Sequence, residues 1–442
     1  MTTGQGVPTV TVGRTLPARA ATEKRVRCRA FEPPSAPSPS PVVPSNVPAI
    51  TLRSDADPLE LELTEGTLVT EFRGPAGVAG EAAQRLVTEA VGSNAHGPPL
   101  SAHVVPGDRA AIAVAGDLPQ AEAVLAALRG CLATGGVAEG DLTVLAAAPL
   151  AASRSDSRPQ GAAAFDPAVE SGTAYLAADA EARPLYVSRV LVDADVVVSV
   201  GRFAWDAALG GRSPEGELWP AFGRSENRES LTRELARRGR EALVDWRGAV
   251  HDITWQLGVC ASLRLVAGRG DTLHAACFGL PEEATRAARG AAEAWRPTVE
   301  EPADLAIATV ASDATGFGGV VRAIAAAARV TLPSGTIAVV AGAAAIPGLV
   351  LTRSRQGTPL GPLLREAVAS GDSVLIADAV EARLLARCLG DRRVVLLSGL
   401  DEAAVEEIGF GHAADVGVVE RLANRAEQVV VLHEADRMFP RR

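Results

Sequence analysis

The residues of this chain best suited to chemistry lie together in one loop, RFAWDAALGGRSPEGELWPAFGR, at residues 202–224. Asp206 is a candidate catalytic acid or base, and the adjacent Gly210 and Gly211 leave backbone N–H groups open to a ligand. Arg212 follows directly, and a guanidinium group grips a carboxylate or phosphate through paired hydrogen bonds. The loop therefore predicts a site for a small organic acid.

The same loop has a purely structural interpretation. Glycine permits the positive φ angles that tight turns require. Arg212 is followed by Glu215 and Glu217, and either carboxylate could pair with it. A turn closed by an ion pair is thus the alternative to a ligand site.

Two further side chains are candidates. Asp117 follows a predicted buried strand, at the sheet edge where α/β proteins bind ligands, although it could equally cap the helix that begins near Pro119. His251 lies four residues before Trp255, on the same face of a predicted helix. Among the histidines it is the best-placed candidate for a catalytic acid or base. The alternative is a histidine that is hydrogen-bonded within the core.

Apolar patterns predict the elements that would position these groups. The segment at residues 110–147 predicts a strand, a helix and a second, parallel strand. The alternating LELEL and TLVTEF at residues 59–72 predict a β-hairpin. Later, short apolar runs separated by helical patterns predict a doubly wound parallel sheet, with SVLIAD at residues 373–378 as one strand.

The chain thus divides into a disordered Pro/Ser-rich tail at residues 1–48, an α/β domain at 49–298 and a second α/β domain at 299–442. In the second domain SDATGFGG resembles a dinucleotide loop but has Val321 in place of its third glycine, so we expect a helix start capped by Ser312 or Asp313. The hypothesis of a nicotinamide-dependent enzyme is therefore supported by the predicted parallel sheet alone.

Composition excludes several classes of function. The net charge of −10 disfavours a nucleic-acid or anionic-membrane binder, and the sequence has no apolar run long enough to span a bilayer. Five scattered cysteines without a C-x-x-C pair favour a cytoplasmic protein, and the histidines lack the spacing of a metal motif. Lys24 is the single lysine, so no lysine chemistry is open to the remainder of the chain.

Several strings resemble the lactate racemase family in their order along residues 52–435. They are PPLSAHVVPGDRAAIAVAGDLPQ, DADVVVSVG, ALGG followed by arginine, and AVHDITWQLGVCASLRLVAGRGDTLHAACFGLPEEATRAA. The resemblance implies two α/β domains of mainly parallel sheets flanked by helices, with an interdomain cleft. It also implies racemisation or epimerisation of 2-hydroxy acids with a nickel-pincer nucleotide tethered to a lysine.

The chain departs from that family where the chemistry lies. After the first strand GDLPQ keeps the family's aspartate as Asp117 but lacks its threonine and arginine, and AAAPLAASRS lacks the histidine that follows the second strand. Asp206 aligns with a second family histidine, and the tethering lysine aligns with Gly216 or Ser213. No histidine occupies the position of the nickel ligand, within SENRESLTREL. The cofactor is therefore unknown.

Two hypotheses about function follow. The first is a divergent racemase or epimerase of a 2-hydroxy acid, in which Asp206 and His251 are catalytic. Its binding residues would be Asp117, Gly210, Gly211 and Arg212. The alternative is a non-catalytic ligand-binding or regulatory relative that has lost the tethered nickel cofactor. Both predict a small organic acid as the ligand, and the sequence leaves the oligomeric state open.

Overall fold

Strands and helices alternate along the chain in a computed structural model that describes residues 49–53, 58–64, 67–149, 158–178, 182, 184–314, 316–342 and 346–441. The strands are β1 Ala49–Arg53, β2 Pro58–Glu62, β3 Leu68–Phe72, β4 Ala110–Ala115, β5 Leu142–Ala147, β6 Ala163–Ala164, β7 Thr173–Ala178, β8 Pro184–Ser188, β9 Val196–Arg202, β10 Trp205–Asp206, β11 Gly211–Arg212, β12 Ala261–Ala267, β13 Leu273–Gly279, β14 Ala303–Thr309, β15 Thr331–Val340, β16 Arg393–Leu397, β17 Gly411–His412 and β18 Gln428–Leu432. The helices are α1 Gly80–Gly92, α2 Ala121–Thr134, α3 Arg189–Asp193, α4 Leu218–Ala221, α5 Ser225–Arg238, α6 Ala242–Gln256, α7 Pro281–Ala291, α8 Phe317–Ala328, α9 Leu349–Arg355, α10 Leu360–Ser370, α11 Ser373–Leu389, α12 Glu402–Glu407 and α13 Val416–Ala423.

One sheet of the described chain has the strand order β13-β12-β9-β4-β5-β6. Its neighbours are parallel except β12 and β13, which are antiparallel. Helices α1 and α2 pack on one face, and α4 and α6 pack on the other. Strand β4 is therefore buried along its whole length, which explains its continuous run of small apolar residues. The strand, helix and parallel strand predicted at residues 110–147 are confirmed.

A second sheet has the order β17-β16-β15-β14-β18-β3, and its described strand pairs are all parallel. Helices α8 and α11 contribute apolar side chains to the core on one face. The antiparallel pair β1 and β2 covers the other face together with α13. Because both faces are covered, the central strands contain buried apolar runs, LAIA in β14 and IAVV in β15, as the sequence pattern indicates. The predicted α/β fold with mainly parallel sheets is confirmed.

Two local predictions are wrong. The segment 59–72 does not form a hairpin, because β2 pairs with β1 whereas β3 pairs in parallel with β18. Alternation of apolar residues identifies a strand but carries no information about its partner. SVLIAD is the start of α11 rather than a strand. The carboxylate of Asp372 accepts hydrogen bonds from the N–H groups of Val374 and Leu375, and this cap starts the helix.

The predicted division of the chain has two parts that the fold does not test. The tail at residues 1–48 lies outside the described residues. The domain boundary near residue 299 stays a prediction, although β3 precedes the first sheet in sequence and belongs to the second.

No helix among the described residues has the length and apolar character needed to cross a membrane. The cytoplasmic location also stays a prediction.

Candidate functional site

A cavity of about 520 Å³ lies where the carboxyl ends of strands from both sheets meet. Parallel strands end together at one edge of a sheet, and α/β proteins place their ligand sites at this edge. Asp117 follows β4, and Arg202 is the last residue of β9. Asp313 follows β14, and Arg437 follows β18. The cavity is therefore the structure's counterpart of the predicted cleft.

Ion pairs connect the two sheets across the floor of this cavity. Arg202, whose side chain is 6% exposed, has its Nη1 atom 3.2 Å from Oδ2 of Asp117 and 3.8 Å from Oδ2 of Asp313. Nη2 of Arg437 lies 2.6 Å from Oδ1 of Asp313, and its Nη1 lies 2.6 Å from Oε2 of Glu434. Guanidinium and carboxylate groups alternate along this floor and neutralise one another. The floor therefore presents both hydrogen-bond donors and hydrogen-bond acceptors to a ligand.

An arginine on the rim of the cavity differs from the arginines of the floor in its surroundings. Arg158 lines the cavity and is exposed, and it forms no ion pair with any described residue. On the same rim Gln120 donates from Nε2 to the backbone oxygen of Asp271 at 2.6 Å and to its Oδ2 at 3.1 Å. Since Arg158 is not neutralised by the described neighbours, it is the rim group best able to attract an anion.

Asp206 lies beside a second, much smaller cavity of about 40 Å³. The residue is 1% exposed. Its Oδ1 accepts a hydrogen bond of 2.9 Å from the N–H of Leu209, and its Oδ2 accepts one of 2.9 Å from Nε of Arg322. Arg322 also acts on a second carboxylate, Glu381 on α11. Burial raises the pKa of Glu381 to about 7, and the positive charge of Arg322 opposes this shift. The small cavity shares three lining residues with the large one, and Asp206 itself does not line the large cavity.

Arg212 does not line the large cavity either. Its guanidinium group packs over the ring of Phe203, with 5.3 Å between the guanidinium carbon and the ring centroid, and pairs with Glu217. Glu217 is 3% exposed, and its Oε2 accepts a 2.8 Å hydrogen bond from Nη2 of Arg264. Nη1 of Arg264 donates to the carbonyl oxygen of Gly216 at 2.6 Å. The ion-pair interpretation of this loop is thus confirmed for Arg212 and Glu217.

Burial of this triad changes the pKa values of its two arginines. Loss of water around the guanidinium groups lowers the pKa of Arg212 to about 9 and that of Arg264 to about 10. Both arginines stay charged at neutral pH, since these pKa values lie well above it. The one carboxylate of Glu217 therefore compensates two buried cations.

The other predicted site residues are dispersed. Gly210 has the positive φ of 73° that a tight turn needs, and its N–H donates to the carbonyl oxygen of Asp206 at 2.9 Å. Neither Gly210 nor Gly211 lines a described cavity. His251 is 61% exposed on α6, where its Nδ1 lies 3.1 Å from Oε1 of Glu282. The structure therefore brings only Asp117, of the six predicted site residues, to the large cavity.

The sequence left open whether some of the cleft residues cap helices or line a ligand site, and the observed helix starts decide between these roles. Helix α2 begins at Ala121, so Asp117 is not its cap, and the capping alternative for Asp117 is wrong. Helix α8 begins at Phe317 without a side-chain cap, so the cap predicted at Ser312 or Asp313 is also wrong. Asp313 instead joins the floor of the cavity. The signal that could have identified the cleft residues is their position at, or within five residues after, the ends of buried parallel strands.

The residues at the position of the family's tethered cofactor do not fit that group. Gly216 has a φ of 81°, and a side chain there would overlap the backbone of Arg202. Ser213 is buried, and its Oγ accepts a hydrogen bond from the N–H of Glu215. Neither residue has the amine of a lysine, and the described residues contain no group of three or more His, Cys, Asp or Glu side chains that could hold a metal ion.

Two solved structures have the same fold. The lactate racemase apoprotein from Thermoanaerobacterium thermosaccharolyticum aligns with 89% of this chain and 100% of its own, with a TM-score of 0.66 and 14% sequence identity. A protein from Thermotoga maritima aligns with 82% of this chain and 98% of its own, with a TM-score of 0.56 and 10% identity. No protein-family model and no curated protein matches the chain. At these identities the similarity shows a lactate-racemase-like fold and no more.

The close approach of two glycine backbones gives a first prediction. A methyl group on Gly201, in β9, would overlap the carbonyl group of Gly216, so Gly201→Ala must displace the loop or the strand. We expect a loss of about 3 kcal/mol or more in the free energy of unfolding, measured by urea denaturation. Gly248→Ala is the control, because its methyl group meets nothing on the surface of α6 and raises helix propensity. Equal stability of the two variants would contradict the close packing of this loop.

The buried triad gives a second prediction. Glu217→Gln removes the charge that compensates Arg212 and Arg264, and we expect it to cost about 3–5 kcal/mol of unfolding free energy. Glu301→Gln, at an exposed position, should stay within about 0.5 kcal/mol of the parent chain. The measurement is urea denaturation of both variants and the parent chain in parallel, with comparison of their midpoints. A loss in Glu217→Gln no larger than in the control would show that the triad does not hold the loop.

Proposed function

We propose that this chain binds a small hydroxy acid in the cleft between its two sheets and does so without the tethered nickel cofactor of the lactate racemase family. The observation that carries the proposal is the cavity of about 520 Å³, a volume typical of small-molecule sites. Arg158 offers a guanidinium group to the carboxylate of such an acid. Asp117, paired with Arg202, offers an acceptor to its hydroxyl group.

The side chains that line the cavity favour binding over catalysis. Removal of a proton from the carbon beside a carboxylate calls for a base whose pKa lies near neutrality, which histidine supplies. The described lining contains carboxylates, guanidinium groups, one glutamine and one serine, and no histidine, lysine, cysteine or tyrosine. A carboxylate beside a guanidinium group keeps its charge and is a weak base. The non-catalytic relative is therefore our first choice.

A racemase or epimerase of 2-hydroxy acids is the second candidate. Its support is the fold shared with a lactate racemase apoprotein. Further support comes from Asp117 and Asp313, two carboxylates from opposite sheets that both approach Nη1 of Arg202. Two acid/base groups on either side of a substrate carbon are what inversion of configuration requires. Asp206 and His251, the catalytic residues expected from the sequence, have no part in this version of the proposal.

Calorimetric titration of the full chain with D-lactate, L-lactate and gluconate tests the binding proposal, with chiral analysis of the acids after long incubation. We expect saturable binding of at least one of these hydroxy acids and no interconversion of the lactate enantiomers. Arg158→Ala should weaken the binding about tenfold or more, because a charge-assisted hydrogen bond to the carboxylate is lost. Acetate, which lacks the hydroxyl group, should bind more weakly than lactate.

Arg425→Ala is the matched control, since Arg425 is another exposed arginine without an ion pair among the described residues and lines neither cavity. It should bind the acids as the parent chain does. Lack of saturable binding by every acid would overturn the proposal. Interconversion of the enantiomers that Asp117→Asn abolishes would establish the second candidate in its place.

A further inference from the structure

Three arginines converge on the turn between β10 and β11. A methyl group placed on Gly210 would lie 3.5 Å from Nη2 of Arg387 and 3.7 Å from Nη1 of Arg240. One placed on Gly211 would lie 3.7 Å from Nη2 of Arg247. The three side chains come from separate parts of the chain, namely the last turn of α11, the short 3₁₀ turn before α6, and α6 itself. Their convergence is thus a product of the tertiary fold and not of a local run of basic residues.

These three arginines are exposed, and none forms an ion pair with a residue that the structure describes. The carboxylates of the same loop are already engaged, since Asp206 bonds to Arg322 and Glu217 is held between two other arginines. Arginines on α5 and α7, by contrast, pair with a glutamate one helical turn away, in the pairs Arg233–Glu229, Arg237–Glu234 and Arg286–Glu283. The turn is therefore a local concentration of arginines that have no ion-paired carboxylate among the described residues.

Other arginines also lie close to one another on the buried side of the turn. The pKa of Arg212 is lowered to about 9, first by burial and then by the charges of Arg264, Arg289 and Arg247. Like charges held this close repel one another, and a bound anion removes that repulsion. Guanidinium groups form paired hydrogen bonds with phosphate oxygens, and several guanidinium groups together match a dianion better than a monocarboxylate.

We propose that Arg240, Arg247 and Arg387, arranged over the Gly210–Gly211 turn, form a binding site for a phosphate group. The phosphate is either the free inorganic ion or part of a small phosphorylated metabolite. None of the three arginines lines the cavity between the sheets, so this site is separate from the proposed hydroxy-acid site. The two proposals can therefore fail independently.

The test is calorimetric titration of the full chain with inorganic phosphate and, separately, with glycerol 3-phosphate, at constant ionic strength. We expect saturable binding at millimolar concentrations or below for at least one probe. Arg240→Ala and Arg387→Ala should each raise the dissociation constant about tenfold or more. Arg425→Ala should leave it unchanged. Without phosphate the thermal midpoints of the two cluster variants should equal or exceed that of the parent chain, because repulsion is relieved.

Each outcome has a defined meaning. Binding of inorganic phosphate identifies the free ion as sufficient, and binding of glycerol 3-phosphate alone identifies a phosphorylated metabolite. Equal affinity in all variants, or no binding of either probe, overturns the site. The cluster variants should retain the lactate or gluconate binding of the parent chain. Retention of that binding without any phosphate binding would therefore remove this proposal and leave the hydroxy-acid proposal intact.

Discussion

The carboxylate of Glu217, buried between Arg212 and Arg264, is the interaction on which the cleft depends. Two guanidinium groups in a dry environment cannot remain there without a compensating charge, so the loop that carries Glu217 must return to β12, where Arg264 lies. Arg264 also holds the carbonyl group of Gly216, which rests against the backbone of Gly201 and Arg202. The triad thereby fixes the end of β9 and the cavity floor beside it.

This constraint explains how a lactate-racemase-like fold can occur with a different site. The positions that the sequence resemblance aligns with the family's lysine and histidine carry Gly216 or Ser213 and Asp206, and the structure uses these residues in backbone packing and internal hydrogen bonds. The structure has a cleft at the strand ends, lined by paired charges and by Arg158, which has no ion-pair partner among the described residues. Fold and chemistry are separable, and here the fold is the part that is shared.

Much of the fold was predictable from the sequence, because strands buried on both faces are rich in apolar residues, and this enrichment is visible in β4, β9 and β14. Strand partners were not predictable, since alternation says nothing about whether β3 pairs with β2 or with β18. The site was predictable only for Asp117. Arg202 and Arg437 lie 235 residues apart and meet through the arrangement of two sheets, which no local spacing records.

The central claim is that the cleft holds no cofactor tethered to a lysine. Intact mass and elemental analysis of the full chain, co-expressed with the pincer-biosynthesis enzymes in medium containing nickel, test it most directly. We predict the mass of the unmodified polypeptide and no stoichiometric nickel, because no lysine follows Lys24. A mass increase equal to the pincer nucleotide, or one nickel ion per chain, would contradict the account.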